Sequence, residues 1–127
     1  MAKASYVWSG SEWVQVASAI PQSNQRGIVY VAGTTYTLGV NDTGKALVFS
    51  SSSSITLTVP KETTYNFSLG QSFVIVQEGT GVVTVAVEAG ATLRSKSSYV
   101  KTAGQYSEAR LLKIDSDEWL LSGDLSS

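Results

Sequence analysis

The stretch Ser54-Ile-Thr-Leu-Thr-Val-Pro60 sets Ile55, Leu57 and Val59 on one side of an extended chain and Thr56 and Thr58 on the other. A period of two is the signature of a half-buried strand, and Pro60 closes it. Phe73-Val-Ile-Val-Gln77 follows as a β-branched apolar run bounded by Gly70 and Gly79, which suits a strand covered on both faces. Val82-Val-Thr-Val-Ala-Val87 resumes after Gly79-Thr-Gly81. Two apolar strands across a short glycine-containing turn predict a hairpin.

Further strands are predicted at Ile28 to Val31, Thr35 to Leu38, Ala46 to Ser50, Ala91 to Arg94, Glu108 to Ile114 and Glu118 to Ser122. Turn residues separate them at Asn41-Asp-Thr-Gly44 and Asp115-Ser-Asp117, and the serine run Ser50 to Ser54 reads as a loop or strand edge. No amphipathic helix stands out, and Ser98 to Gln105 has room for one helical turn at most. Turn signals about every ten residues predict an all-β domain, an antiparallel β-sandwich or barrel-like, jelly-roll-like body. Its expected aromatic core is Tyr36, Phe49, Phe67, Phe73, Tyr106 and Trp119.

The opening residues differ. Tyr6-Val-Trp-Ser-Gly-Ser-Glu-Trp-Val-Gln-Val16 holds two of the three tryptophans around a Ser-Gly-Ser turn, and predicts a small hairpin. A two-stranded hairpin is marginal alone and must dock on something. Ala19 to Gly27 is polar and reads as a linker. The expected division is therefore an N-terminal hairpin or arm with its linker over 1–27 and a single β-domain over 28–127. A chain of 127 residues buries roughly two-thirds of its unfolded surface without staples.

The composition closes the common catalytic routes. There is no histidine and no cysteine, which removes the usual general base, the usual zinc ligands and the Ser-His-Asp and Cys-His arrangements. Nine basic and ten acidic residues leave a net charge of -1, without the basic field that nucleic acid requires. Arg94, Lys96 and Lys101 come nearest to one, and a solvated loop is the plainer reading. The N-terminus lacks the apolar region of a secretory leader, and no run reaches membrane-span length. These features predict a chain made and left in a cytosol, with no membrane contact.

The chemical motifs have plainer readings too. Ser98-Tyr-Val-Lys101 matches the S-x-x-K spacing of serine acyl-enzymes, but Lys101-Thr-Ala-Gly104 overlaps it where the chemistry needs a distant element. Asp115-Ser-Asp117-Glu118 offers oxygens to a hard cation yet lacks an EF-hand's glycine and distal glutamate. Glu62, Glu78, Glu88, Glu108 and Asp124 are acids without a marked pair. Asn41-Asp-Thr43 and Asn66-Phe-Ser68 fit the glycosylation pattern by chance in a chain without a leader. The expectation is no catalytic residue, no metal and no cofactor; the chain is not read as an enzyme.

From Tyr36 to Leu125 an ordered series of short elements carries a resemblance. It runs through Tyr36-Thr-Leu38, Asp42-Thr-Gly-Lys45, Ile55-Thr-Leu-Thr-Val-Pro60, Phe67-Ser-Leu-Gly70 and Ile75-Val-Gln77. It continues with Gly81-Val-Val-Thr-Val85, Gly90-Ala-Thr-Leu93, Gln105-Tyr-Ser107 and Glu118-Trp-Leu-Leu-Ser-Gly-Asp-Leu125. In this order they resemble a β-rich structural domain of tailed-bacteriophage virion proteins. Val7-Trp-Ser-Gly-Ser-Glu-Trp-Val14 is similar to short segments of phage fibre and virion proteins. The resemblance implies a virion subunit made in the bacterial cytoplasm, a capsid decoration (cement) protein or part of a head or tail fibre. Its partners would be the major capsid protein or other virion proteins and further copies of itself, as a homotrimer. Tyr6, Trp8 and Trp13 are the expected anchoring residues, because aromatic side chains dominate interface hot spots. The alternative is a host-receptor or carbohydrate-binding part of a fibre, using the residues between Arg94 and Gln105.

Overall fold

The computed structural model describes residues 27–127 and, for 6–8 and 13–15, the backbone. Strands β1 (Tyr6–Trp8) and β2 (Trp13–Gln15) pair antiparallel, with Trp8 opposite Trp13, as expected for this segment.

The remaining strands are β3 (Ile28–Val31), β4 (Thr35–Thr37), β5 (Ala46–Phe49), β6 (Ile55–Val59), β7 (Ser72–Gln77) and β8 (Val83–Val87). They are followed by β9 (Thr92–Ser95), β10 (Lys101–Thr102), β11 (Glu108–Asp115), β12 (Glu118–Gly123) and β13 (Leu125–Ser126). Short 3-10 turns lie at Val40–Asp42 and Lys96–Ser98. The protein is all-β, as expected from the alternation, and each predicted strand forms within a residue or two of its predicted ends.

The strands make a six-stranded sheet, β3-β5-β7-β11-β12-β9, and a five-stranded sheet, β13-β10-β8-β6-β4. Both are mixed, which corrects the antiparallel expectation. The β3/β5, β5/β7, β4/β6, β6/β8 and β9/β12 pairs are parallel, while β7/β11, β11/β12, β8/β10 and β10/β13 are antiparallel. Neither sheet closes into a barrel, because its outermost strands pair on one side only among the described residues.

The cause is a repeated strand–arch–strand unit. β3 leads to β4, β5 to β6 and β7 to β8, and each time the chain crosses from the six-stranded sheet to the five-stranded one. Stacking three such coils aligns Val29, Leu47 and Ile75 in one column and Tyr36, Leu57 and Val85 in another. The hairpin predicted across Gly79-Thr-Gly81 therefore does not form. A strand has two hydrogen-bonding edges, and those of β7 are taken by β5 and β11.

The glycines serve the crossing instead. A Cβ at Gly79 would run into the carbonyl oxygens of Ser50 and Ser51, and one at Gly81 into that of Ser53. The arch at Glu78–Val82 thus lies directly on the serine arch of the coil before it. Gly79 N and Gly81 N donate to Phe49 O and Ser51 O at 3.1 and 2.9 Å.

Inward residues of both sheets share one core, including Leu47, Phe49, Ile55, Leu57, Phe73, Ile75, Leu111, Trp119 and Leu121. Phe67 meets Phe73 and Trp119 edge-on, with centroids 5.2 and 5.7 Å apart, the arrangement aromatic quadrupoles favour. Tyr36 packs at the margin of this core, but Tyr106 does not join it, being 74% exposed at the arch end of the molecule. The second face of β7 is only half-buried, since nothing described covers it.

Candidate functional site

Tyr6, Trp8 and Trp13, the residues expected to anchor a partner, belong to β1 and β2, and their side chains lie outside the described residues. The chain that carries them enters the body at β3, the outermost strand of the six-stranded sheet. Beyond β3 and β4 no further strand pairs among the described residues. Ile28 and Tyr30 on β3 are exposed, as is Val40 in the turn after β4. Among the described residues this end of the body thus leaves backbone edges unpaired beside apolar side chains, a surface suited to contact rather than solvent.

The opposite end carries a groove of about 420 Å³ lined by Lys96, Ser97, Tyr99, Leu120, Leu121 and Leu125 among others. Its Lys96, Ser97 and Tyr99 side comes from the segment expected to be a solvated basic loop, and the rest from β12 and Leu125. Arg94 is not free there, because its Nε donates to Glu118 Oε2 at 2.9 Å. Of the three cations, Arg94 is paired with Glu118, Lys96 lines the groove and Lys101 is exposed on β10. Ser98 sits in an exposed turn at φ 60°, with no helix to activate it.

Several of the acids bind backbone donors. Glu88 accepts from Lys61 N and Thr64 Oγ1, both at 3.0 Å, and these bonds, the backbone one foremost, hold its carboxyl below the usual carboxylate range. In the Asp115–Asp117 turn, Asp117 Oδ1 accepts from Glu62 N at 2.7 Å and Asp115 Oδ1 from Ser116 N at 2.7 Å. The turn's carboxylates are tied to backbone donors, as in an ordinary turn.

Sequence reasoning missed three polar clusters. Asp42, 2% exposed, accepts from Tyr36 Oη at 2.7 Å and Gly39 N at 2.8 Å. Burial, then the hydrogen bond to Asp42 and its charge, push the Tyr36 phenol up to about 12. Gln77 and Thr102 form the second cluster: Thr102 Oγ1 donates to Gln77 Oε1 and accepts from Val83 N at 3.0 Å, and Gln77 Nε2 donates to Gly79 O at 3.1 Å. These groups satisfy the backbone where the chain leaves β7.

The third cluster surrounds Lys113, 3% exposed. Its Nζ lies 2.9 Å from Asn66 Oδ1, 2.6 Å from Phe67 O and 2.9 Å from Glu62 Oε2. Glu62 also accepts from Asp117 N at 2.9 Å and Ser116 Oγ at 3.1 Å. Its carboxyl is held low first by Lys113 and then by Asp117 N. The signal for this cluster was present in the sequence. Ala109, Leu111 and Lys113 alternate along β11, so period two puts the lysine on the buried face. Its partners, 46 to 51 positions upstream, had no such signal.

Asn66 accepts from Lys113 and Asn41 lies in the 3-10 turn, so both asparagines of the glycosylation-like triplets have structural places. No protein-family model and no curated protein matches the chain.

Proposed function

We propose that the chain is a structural subunit of a bacteriophage virion, a capsid decoration protein that bridges and stabilises neighbouring capsomers. The observation that carries this reading is the N-terminal end of the body. An aromatic segment with Trp8 and Trp13 feeds through a polar linker into an outermost strand beside Ile28 and Tyr30. Aromatic anchors in the segment that leads into an outermost strand suit lasting attachment to another protein. The ordered resemblance to virion β-domains points the same way, and the partner would be the major capsid protein, with the subunit acting as a homotrimer assembled in the bacterial cytoplasm. We read the two-sheet body as a sandwich whose role is to hold this end rigid.

The test is decoration of empty capsids by the full chain and by a chain lacking residues 2–20. The full chain should be retained at hundreds of copies per particle, and the truncated one should stay folded and unbound. Full occupancy by the truncated chain overturns the anchoring role of Tyr6, Trp8 and Trp13. The groove beside Lys96 and Tyr99 favours the second reading, a carbohydrate- or receptor-binding part of a fibre, because an aromatic ring flanked by polar groups suits a sugar. A glycan-array signal lost in Tyr99→Ala, together with a few tens of copies per virion or fewer, would establish that reading instead.

A further inference from the structure

Lys113 occupies a position that period two reserves for an apolar residue, and its surroundings resemble a reaction site more than a surface ion pair. The amine is buried, and Trp119, itself 1% exposed, lies opposite it on β12. Phe67 and Phe73 pack against that indole. Within 2.9 Å of Nζ stand the carboxamide oxygen of Asn66 and a carboxylate oxygen of Glu62. The carbonyl of Phe67 fixes the amine from a third direction. A nucleophile, an acyl group with a potential leaving amine and a proton carrier are thus held together, and proximity of this kind removes much of the entropic barrier to reaction.

We propose that Lys113 and Asn66 become joined by an intramolecular isopeptide bond, with Glu62 carrying the protons. Glu62, whose Oε2 lies 2.9 Å from Nζ, takes a proton from the Lys113 ammonium. Rotation of the Asn66 amide then presents Cγ, one bond from the Oδ1 already in contact, to the free amine. The Nζ lone pair forms the new C–N bond and the carbonyl electrons move to Oδ1. Glu62 delivers its proton to Nδ2 and accepts one from Nζ. Collapse of the adduct breaks the Cγ–Nδ2 bond and expels ammonia, which takes the remaining proton from Glu62 and departs as ammonium. The carboxylate is restored, and no oxidant or further reactant is needed.

The way out is open: a cavity of about 470 Å³, lined by Glu62, Asn66, Phe67, Lys113 and Ser116 among others, reaches the surface here. The bond would tie positions 47 residues apart and restrict the unfolded chain as a disulfide does, in a protein without cysteine. This inference stands apart from the virion reading.

The experiment is intact-mass analysis of the purified full chain after prolonged incubation, followed by tryptic digestion. The wild type should be lighter than its sequence by one ammonia and should yield a branched peptide joining residues 62–94 to 111–127. Lys113→Arg, Asn66→Ala and Glu62→Gln, each checked for folding by circular dichroism, should keep the full sequence mass. A folded wild type at full sequence mass overturns the proposal even if every variant misfolds. Ammonia loss that persists in Lys113→Arg, with no branched peptide from the wild type, overturns it too, since that marks cyclisation of an asparagine onto its own backbone. Cross-linking of Glu62→Gln at the wild-type rate overturns the role of Glu62.

Discussion

The two rims of the stacked coils are closed by opposite means. At the arch rim, Gly79 and Gly81 lie against the backbone of Ser50–Ser53, and the side chains that hydrogen-bond there are neutral: Gln77, Thr102 and Gln105, whose Nε2 donates to Glu78 O. At the return rim, carboxylates reach from one segment to the next. Glu88 binds Lys61 N, Asp117 binds Glu62 N, and Glu62 binds Asp117 N and Lys113. The arches are short enough for backbones to touch, so side chains are absent at the points of contact, Gly79 and Gly81. The returns are longer and leave backbone N–H groups that only a reaching acceptor can satisfy.

The largest effect should come from filling the arch contact. Gly81→Val puts a side chain into the Ser53 carbonyl, and denaturant unfolding should show a loss of about 3 kcal/mol or more. Gly104→Ala, with no heavy atom within 4 Å of the added carbon, should change stability by less than about 0.5 kcal/mol. Equal losses in the two variants would mean that the arches are not packed as described.

A smaller effect tests the neutral polar bonds of the same rim. Thr102→Val keeps the shape and leaves Val83 N and Gln77 Oε1 without their buried partner. The expected loss is about 1–3 kcal/mol, with cooperative unfolding retained. A thermal or denaturant midpoint equal to wild type would show that water replaces the hydroxyl.

The smallest effect distinguishes the rims by pH. The Glu88 carboxyl is lower in the folded protein than its ordinary value of 4.5, so the unfolded chain binds more protons in that range. The Glu88 contribution is fully present above pH 4.5 and is lost as pH falls through the folded value. Wild type should therefore lose more stability on acidification than Glu88→Gln, and the gap should close at low pH. Parallel curves would remove the carboxylate from the account of this rim.

Strand positions were legible because alternation is local: burying one face of Ile55–Val59 or Glu108–Asp115 leaves its mark within the strand. β10 and β13, two residues each, are too short to alternate and went unseen. Of the candidate surfaces, the aromatic segment around Trp8 and Trp13 was legible by composition. The Lys113 cluster was visible only as a lysine at an inward position.

The sequence by itself determined that the protein is all-β, where most strands run and which side chains of the alternating strands turn inward, since these depend on neighbours one and two residues away. Tertiary structure alone decided that β7 pairs with β5 and β11 and not with β8, and that Glu62 and Asn66 meet Lys113. A strand's hydrogen-bonding edges are the same whatever its side chains, so its partners are chosen by how all the coils stack together.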